Sequence, residues 1–304
     1  VMIALFPGQG SQSPGFLTPW LELDGAADRL AAYSEWSGVD LAAAGTEWDA
    51  DQIRDTQVAQ PLIVAASLLS WNTLEGRERV GGVAGHSVGE FAAAAAAGIL
   101  SEEDAMRLVG IRGRAMAEAA TAESTGMTAV LGGDEATVLE RLAELDLTPA
   151  NYNGGGQLVA AGTLDALARL AETPPAATRV IALQVAGAFH TRFMAPAVET
   201  LRNAVEDASV SDPTVAIWTN RDGSVVSSGA EFTRLLVEQV ASPVRWDLCM
   251  ASFAAAGVDG LVELAPGGTL TGLAKRGLRG TPAVALKTPA DTEKFSAMLQ
   301  GGSE

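Results

Sequence analysis

The chain has 304 residues, enough for one large domain or a large domain carrying a smaller one, and 48% of them are hydrophobic with no long polar tract, which excludes disorder. A formal net charge of -17 argues against nucleic acid, whose phosphates would be repelled, and a single cysteine, Cys249, excludes an intrachain disulfide. Neither C-x-x-C nor H-E-x-x-H occurs, so no metal site is expected, and the longest strongly apolar stretch, Phe91 to Leu100, falls far short of the roughly 20 residues a membrane helix needs.

Met2 to Phe6 reads as a buried strand that breaks at Pro7-Gly8-Gln9-Gly10-Ser11-Gln12. No basic leader precedes it, so a cytoplasmic protein is expected. The glycines at 8 and 10 bring main-chain amides close to whatever lies above the strand end. A dinucleotide fingerprint would want a third glycine where Ser13 stands, and no G-K-[ST] follows, which weakens a phosphate cradle. An oxyanion donor fits better: nucleophile-elbow enzymes take one amide from the residue after the nucleophile and another from a different strand-end loop, and Gln9 is the candidate for the second. Pro14 to Trp48 is helical and loop-rich, with no evident chemistry. Val58 to Leu69 is apolar nearly all round, as in a helix packed deep against a sheet, and its Gln60 is either a polar group satisfied at the helix start or one that lines a pocket.

Next comes Gly85-His86-Ser87-Val88-Gly89-Glu90, between the apolar run Val80 to Ala84 and the helix-forming stretch Phe91 to Ala97. This is a G-x-S-x-G pattern in the context it requires, a strand, a sharp turn and a helix. The glycines let strand and helix backbones approach, so Ser87 projects as a candidate nucleophile and the Val88 amide, in the first turn of the helix, can hold an oxyanion. Ser101 then caps a helix with an acidic first turn that runs to about Ala120. It carries Arg107, Arg112 and Arg114. Positions 107 and 114 lie near one face and Arg112 points elsewhere; on the residues alone, a solvated face is the plainer reading for all three.

The pattern shifts near Ser124. Strands over 127–131, 150–153, 157–161 and 179–185, with helices over 134–145 and 163–171, give the order β-α-β-β-α-β of a ferredoxin-like unit. We expect residues 124–190 to be this small inserted subdomain, and residues 1–123 and 191–304 to be a large α/β-hydrolase-like subdomain with a mostly parallel sheet. The insertion ends at Gly187-Ala188-Phe189-His190-Thr191. Of the two histidines, His86 adjoins the nucleophile but should point away from it, as neighbours on a tight turn do, so His190 is the better base. Alternating strands and helices then return, with strands at 215–219, 261–264 and 284–286 and helices at 232–240, after Trp246 and from Thr269.

Gly8 to Gln12, Gly85 to Glu90, Arg112-Gly113, Asn151-Tyr152-Asn153, Gly187 to Thr191, Pro243-Val244-Arg245-Trp246 and Pro266 to Leu273 occur in the order found in malonyl-CoA:acyl carrier protein transacylases. The chain resembles that family along essentially its whole length, in style most like the actinobacterial members that serve fatty-acid and polyketide synthesis. The resemblance implies ping-pong transfer of a malonyl group from malonyl-CoA to the phosphopantetheine thiol of acyl carrier protein. It casts Ser87 as the acylated serine, His190 as its base, the amides of Gln9 and Val88 as the oxyanion hole, and Arg112 as the partner of the malonyl carboxylate. Phe189 would fill the space over the substrate α-carbon, with Gln60 and Asn153 as further substrate contacts.

The same resemblance has His190 oriented by a main-chain carbonyl near Pro243-Val244-Arg245-Trp246, since an arginine side chain at 245 offers no acceptor. It implies no metal or redox cofactor, and a monomer whose partner is acyl carrier protein rather than nucleic acid or membrane. Because such carriers are acidic, Lys275, Arg276 and Arg279 are candidates for a docking rim. The alternative is a serine hydrolase, a thioesterase or esterase, which would share Ser87 and His190 but gain nothing from Arg112. A non-catalytic carrier-binding module is a further alternative, against which the intact serine, histidine and arginine argue.

Overall fold

A computed structural model describes residues 1–301. Among these, the strands are β1 (Met2–Phe6), β2 (Gly82–Gly85), β3 (Thr125–Gly132), β4 (Thr148–Gly154), β5 (Gln157–Thr163), β6 (Thr178–Ala182), β7 (Ala216–Trp218), β8 (Val244–Arg245), β9 (Gly260–Glu263) and β10 (Ala283–Ala285). They form two five-stranded sheets. The first has the order β10-β9-β1-β2-β7, with every pairing parallel. Parallel neighbours need crossover connections, and the crossover helices cover both faces of the sheet.

β1 shows the consequence residue by residue. Met2, Ala4 and Phe6 enter a large cluster with the helices Thr56–Thr73, Gly89–Ala96 and Glu102–Ala119. Ile3 and Leu5 enter a second cluster with Trp246, Phe253, Leu270 and Leu273. Alternate side chains point to opposite faces, and since both faces are dry the whole run is apolar. Each large aliphatic or aromatic side chain so buried contributes roughly 1.5–3 kcal/mol.

The second sheet has the order β6-β3-β5-β4-β8. Its first four members pair antiparallel, in the ferredoxin-like arrangement that β-α-β-β-α-β implies. The helices Glu135–Glu144 and Leu164–Glu172 pack Val138, Leu142, Leu167 and Leu170 against it in a cluster of their own. β8, from the far side of the insertion in sequence, adds a parallel edge through Asn151↔Val244 and Tyr152↔Arg245.

The last strand of the small sheet's β-α-β-β-α-β run and the last helix of the chain differ most from the sequence reading. β6 stops at Ala182: Leu183 N–H still donates to Met127 O at 3.0 Å, after which the chain leaves the sheet and Leu183 and Val185 line a cavity. A closing helix, Thr292–Gly301, buries Phe295 and Leu299 in the large cluster. No helix among the described residues is long and apolar enough to cross a membrane.

Candidate active site

The turn after β2 is built by steric exclusion. A Cβ on Gly85 would lie 2.1 Å from the carbonyl carbon of Gly89, and one on Gly89 would lie 2.1 Å from Phe6 O. Only glycines let β2 and the helix Gly89–Ala96 come this close. Between them Ser87 has φ 54°, a left-handed conformation that costs a non-glycine residue roughly 1–2 kcal/mol and that the surroundings must hold. Asn220, fully buried in the loop after β7, does so: its Oδ1 accepts from Ser87 N–H at 2.8 Å and its Nδ2 donates to Gly85 O at 2.7 Å.

Ser87 Oγ lies 2.7 Å from His190 Nε2, and His190 Nδ1 lies 2.7 Å from the main-chain oxygen of Gln239. With Nδ1–H donating to that carbonyl, Nε2 carries the lone pair that faces the hydroxyl. Burial, followed by the positive charge of Arg112, pushes His190 down to about 3, so it is a neutral base at ordinary pH. The orienting carbonyl is a correction to the sequence reading: it belongs to Gln239, not to Pro243–Trp246. The turn Gln239–Ala241 ends the helix Gly229–Glu238, and terminal carbonyls lack onward helical partners. Val244 and Arg245 are instead paired with β4, while the Arg245 side chain binds Asp247 at 3.0 and 2.8 Å and stacks 4.3 Å over Tyr152. His86 does point away from the nucleophile. Its Nε2 is 2.8 Å from Asn153 Oδ1 and its ring meets Trp246 edge-on.

Ser87 and His190 open onto a cavity of about 400 Å³ that Gln9, Gln60, Val88, Arg112, Asn153 and Phe189 also line, so the eight candidate catalytic and substrate-contact residues meet in one place. Gly8 packs so tightly that a Cβ there would be 2.9 Å from His86 O, which sets the loop after β1 beside the turn after β2. The amides of Gln9 and Val88 sit in these adjoining loops, and neither donates to an acceptor among the described residues.

Arg112 is 1% exposed. Its Nη1 donates to Gln60 Oε1 at 2.7 Å and its Nη2 to Gln239 Oε1 at 2.8 Å, its guanidinium lies 5.7 Å from the Phe91 ring, and its Nε has no partner among the described residues. Both acceptors are neutral amide oxygens. A buried cation whose direct partners are neutral recovers only part of its desolvation cost; burial pulls Arg112 down to about 10, the more distant Glu90 opposes that fall, and the group stays charged near neutrality. Such a fork at a cavity wall selects an anion. Of its neighbours on the same helix, Arg107 pairs with Asp104 and Arg114 donates to Ser37 O, both away from the cavity. Gln60 thus lines the pocket and is also satisfied.

Three further residues complete the site. Gln239 Nε2 donates to Ser87 O at 2.9 Å and to Glu90 Oε2, and Asn220 N–H donates to Glu90 Oε1 at 2.7 Å. Glu90 stood inside the motif, but nothing in the local sequence marks Gln239 or Asn220, which reach the site only through the fold. Of the basic rim, Arg276 lines the cavity and donates to Gln157 Oε1 at 3.1 Å, while Lys275 and Arg279 are exposed and do not line it.

Residues 4–296 match the acyl transferase domain family. The malonyl CoA-acyl carrier protein transacylase of Mycobacterium tuberculosis H37Rv is 54% identical over 300 residues, covering 97% of this chain and 99% of that protein. The crystal structure of MCAT from Mycobacterium tuberculosis superposes with a TM-score of 0.94 at 53% identity, over 97% of this chain and all of that one. A malonyl-transacylase in complex with its type II PKS acyl-carrier protein superposes with a TM-score of 0.90 at 30% identity, over 96% of this chain and 98% of that one.

Proposed function

Because the chain belongs to the acyl transferase family, and within it to the malonyl CoA-acyl carrier protein transacylases, we propose that it moves a malonyl group from malonyl-CoA to acyl carrier protein through an ester on Ser87. His190 takes the Ser87 proton as the oxygen attacks the thioester carbonyl. The amides of Gln9 and Val88 hold the oxyanion, which collapses with expulsion of the coenzyme A thiolate, protonated by His190. The phosphopantetheine thiol of the carrier then gives its proton to His190 and attacks the ester, and Ser87 is released with its proton restored. Arg112 holds the free carboxylate in both halves, so the malonyl-serine stays oriented for the second nucleophile. Phe189, beside the base, fills the space over the α-carbon and favours malonyl over its methyl-branched homologue. Arg276 at the cavity mouth, with Lys275 and Arg279 beyond it, receives the acidic carrier.

The observation that carries this reading is a buried guanidinium whose hydrogen-bond partners among the described residues are neutral amides, sharing one cavity with a hydroxyl 2.7 Å from a neutral imidazole. A hydrolase of neutral esters would have no use for that cation. We assign residues 1–123 and 191–304 to a large subdomain and 124–190 to a small one, and place the protein in the cytoplasm, where its lone buried thiol fits a reducing environment. Intact-mass measurement after incubation with malonyl-CoA tests the proposal. It predicts one malonyl adduct on the parent chain and none on Ser87→Ala; no adduct on the parent, or equal labelling of both, would reject it.

A further inference from the structure

One residue at the centre of the site touches the base, the carboxylate-binding arginine and the nucleophile's own peptide at once. Gln239 accepts from His190 Nδ1 through its main-chain oxygen at 2.7 Å and from Arg112 Nη2 through its Oε1 at 2.8 Å, and its Nε2 donates to Ser87 O at 2.9 Å and to Glu90 Oε2. The two neighbours of Nε2, a carboxylate and a carbonyl, are both acceptors, so they can face only the NH2 end of the amide. Arg112 carries donors alone, so it can face only the oxygen end. The orientation of Gln239 is therefore fixed from both sides, by Ser87 O and Glu90 at one end and by Arg112 at the other.

Glu90 is 1% exposed, and its other oxygen is taken by Asn220 N–H at 2.7 Å. Interposing a neutral amide between Glu90 and Arg112 has a specific effect. A carboxylate in direct contact with the guanidinium would occupy the fork that substrate needs, whereas a carboxylate one residue further away compensates the buried charge and leaves the fork free. The two groups do sense each other: burial raises Glu90, Arg112 opposes that rise, and Glu90 in turn opposes the fall of Arg112.

We propose that Glu90, acting through the side chain of Gln239, is a positioning residue for diacid recognition, holding the Arg112 guanidinium charged, aimed and unoccupied for the carboxylate of the acyl group. This rests on the reading in which Arg112 receives that carboxylate. Glutamine at 90 cannot substitute. If its oxygen serves Asn220 N–H, its NH2 meets the NH2 of Gln239, and turning Gln239 over brings donor against donor at Arg112.

The test is the concentration dependence of Ser87 acylation by malonyl-CoA and by acetyl-CoA, followed by intact mass, in the parent, Arg112→Ala, Glu90→Gln and Gln239→Met. The methionine keeps the main-chain carbonyl on His190 and removes only the amide. Both Glu90→Gln and Gln239→Met are expected to lose about 10- to 100-fold in acylation efficiency toward malonyl-CoA, mainly through weaker saturation, and distinctly less toward acetyl-CoA, so that the malonyl-to-acetyl preference falls by about tenfold or more. Equal losses with both donors would mark a merely structural role under the elbow and overturn the proposal. So would an unaltered malonyl preference in both variants while Arg112→Ala abolishes it. If Arg112→Ala itself leaves the preference intact, the reading of Arg112 fails and this inference falls with it. Should Glu90→Gln not fold, Gln239→Met decides alone.

Discussion

Arg112→Ala separates the diacid reading from every neutral-acyl alternative. The parent guanidinium is 1% exposed, bound to Gln60 and Gln239 through neutral oxygens at 2.7 and 2.8 Å, with no carboxylate in direct contact among the described residues. Truncation removes the charged partner of a desolvated pair, which typically costs about 2–5 kcal/mol, or roughly 30-fold to several-thousand-fold in kcat/KM for malonyl-CoA. Stability should move little. The variant loses two hydrogen bonds but also a desolvated cation with no carboxylate in direct contact, and the freed amide oxygen of Gln60 opens onto a cavity that water can fill. Arg112→Lys keeps the charge without the fork and should fall between, about tenfold below the parent. The assay is rapid-quench acylation of Ser87 read by intact mass, with acetyl-CoA as the neutral control, for which the change should stay within a few-fold of the parent. A parallel loss with both donors, or a malonyl preference that survives in Arg112→Ala, would refute the reasoning.

Gly89→Ala would set a Cβ 2.1 Å from Phe6 O, so strand and helix must part; the urea midpoint should fall by an amount equivalent to at least about 1–3 kcal/mol and Ser87 acylation should collapse, and an unchanged midpoint with normal acylation would contradict the steric account. His190 is held at about 3 against an ordinary 6.5, so its neutral form is favoured by folding. That contribution is complete above pH 6.5 and is lost as pH falls from 6.5 toward 3, because the unfolded chain takes up the proton first. In activity, acetylation of Ser87 should therefore stay flat from about pH 7.5 to about 5.5, and a decline centred at the free-histidine value would show that the base is not desolvated as described. Reversing the charges of Lys275 and Arg276 should slow transfer to carrier protein at low salt and leave acylation by malonyl-CoA close to the parent rate; unchanged transfer would remove these residues from the docking surface.

The fold and most of the site are legible in the chain because local rules govern them. Met2 to Phe6 is apolar throughout since both faces of its sheet are covered, and Gly85 and Gly89 are spaced by a clash that only glycine avoids. The ferredoxin-like order of the insertion follows from its alternating periods. β8 was not legible, because a two-residue strand has no periodicity to read and pairs with β4 only through tertiary placement. The closing helix Thr292–Gly301 shows little more than its anchors Phe295 and Leu299. Arg112 looked like one of three surface arginines until the packing of its helix distinguished them, and the resemblance rather than the pattern raised it. Gln239 and Asn220 are ordinary polar residues in sequence. Their importance comes from the single turn and the loop that bring them beneath Ser87, and for the same reason the orienting carbonyl lies four residues before Pro243, where no local pattern marks it.

The central claim is that the acyl group is held for a second nucleophile rather than surrendered to water. The direct measurement is the partition of malonyl-enzyme, formed with malonyl-CoA and freed of coenzyme A, between free malonate and malonyl-carrier protein, timed by intact mass with and without holo-acyl carrier protein. Transfer to the phosphopantetheine thiol should outrun hydrolysis by at least about 100-fold, with the adduct persisting when no thiol is supplied. Rapid release of malonate at a rate indifferent to the carrier would contradict the account.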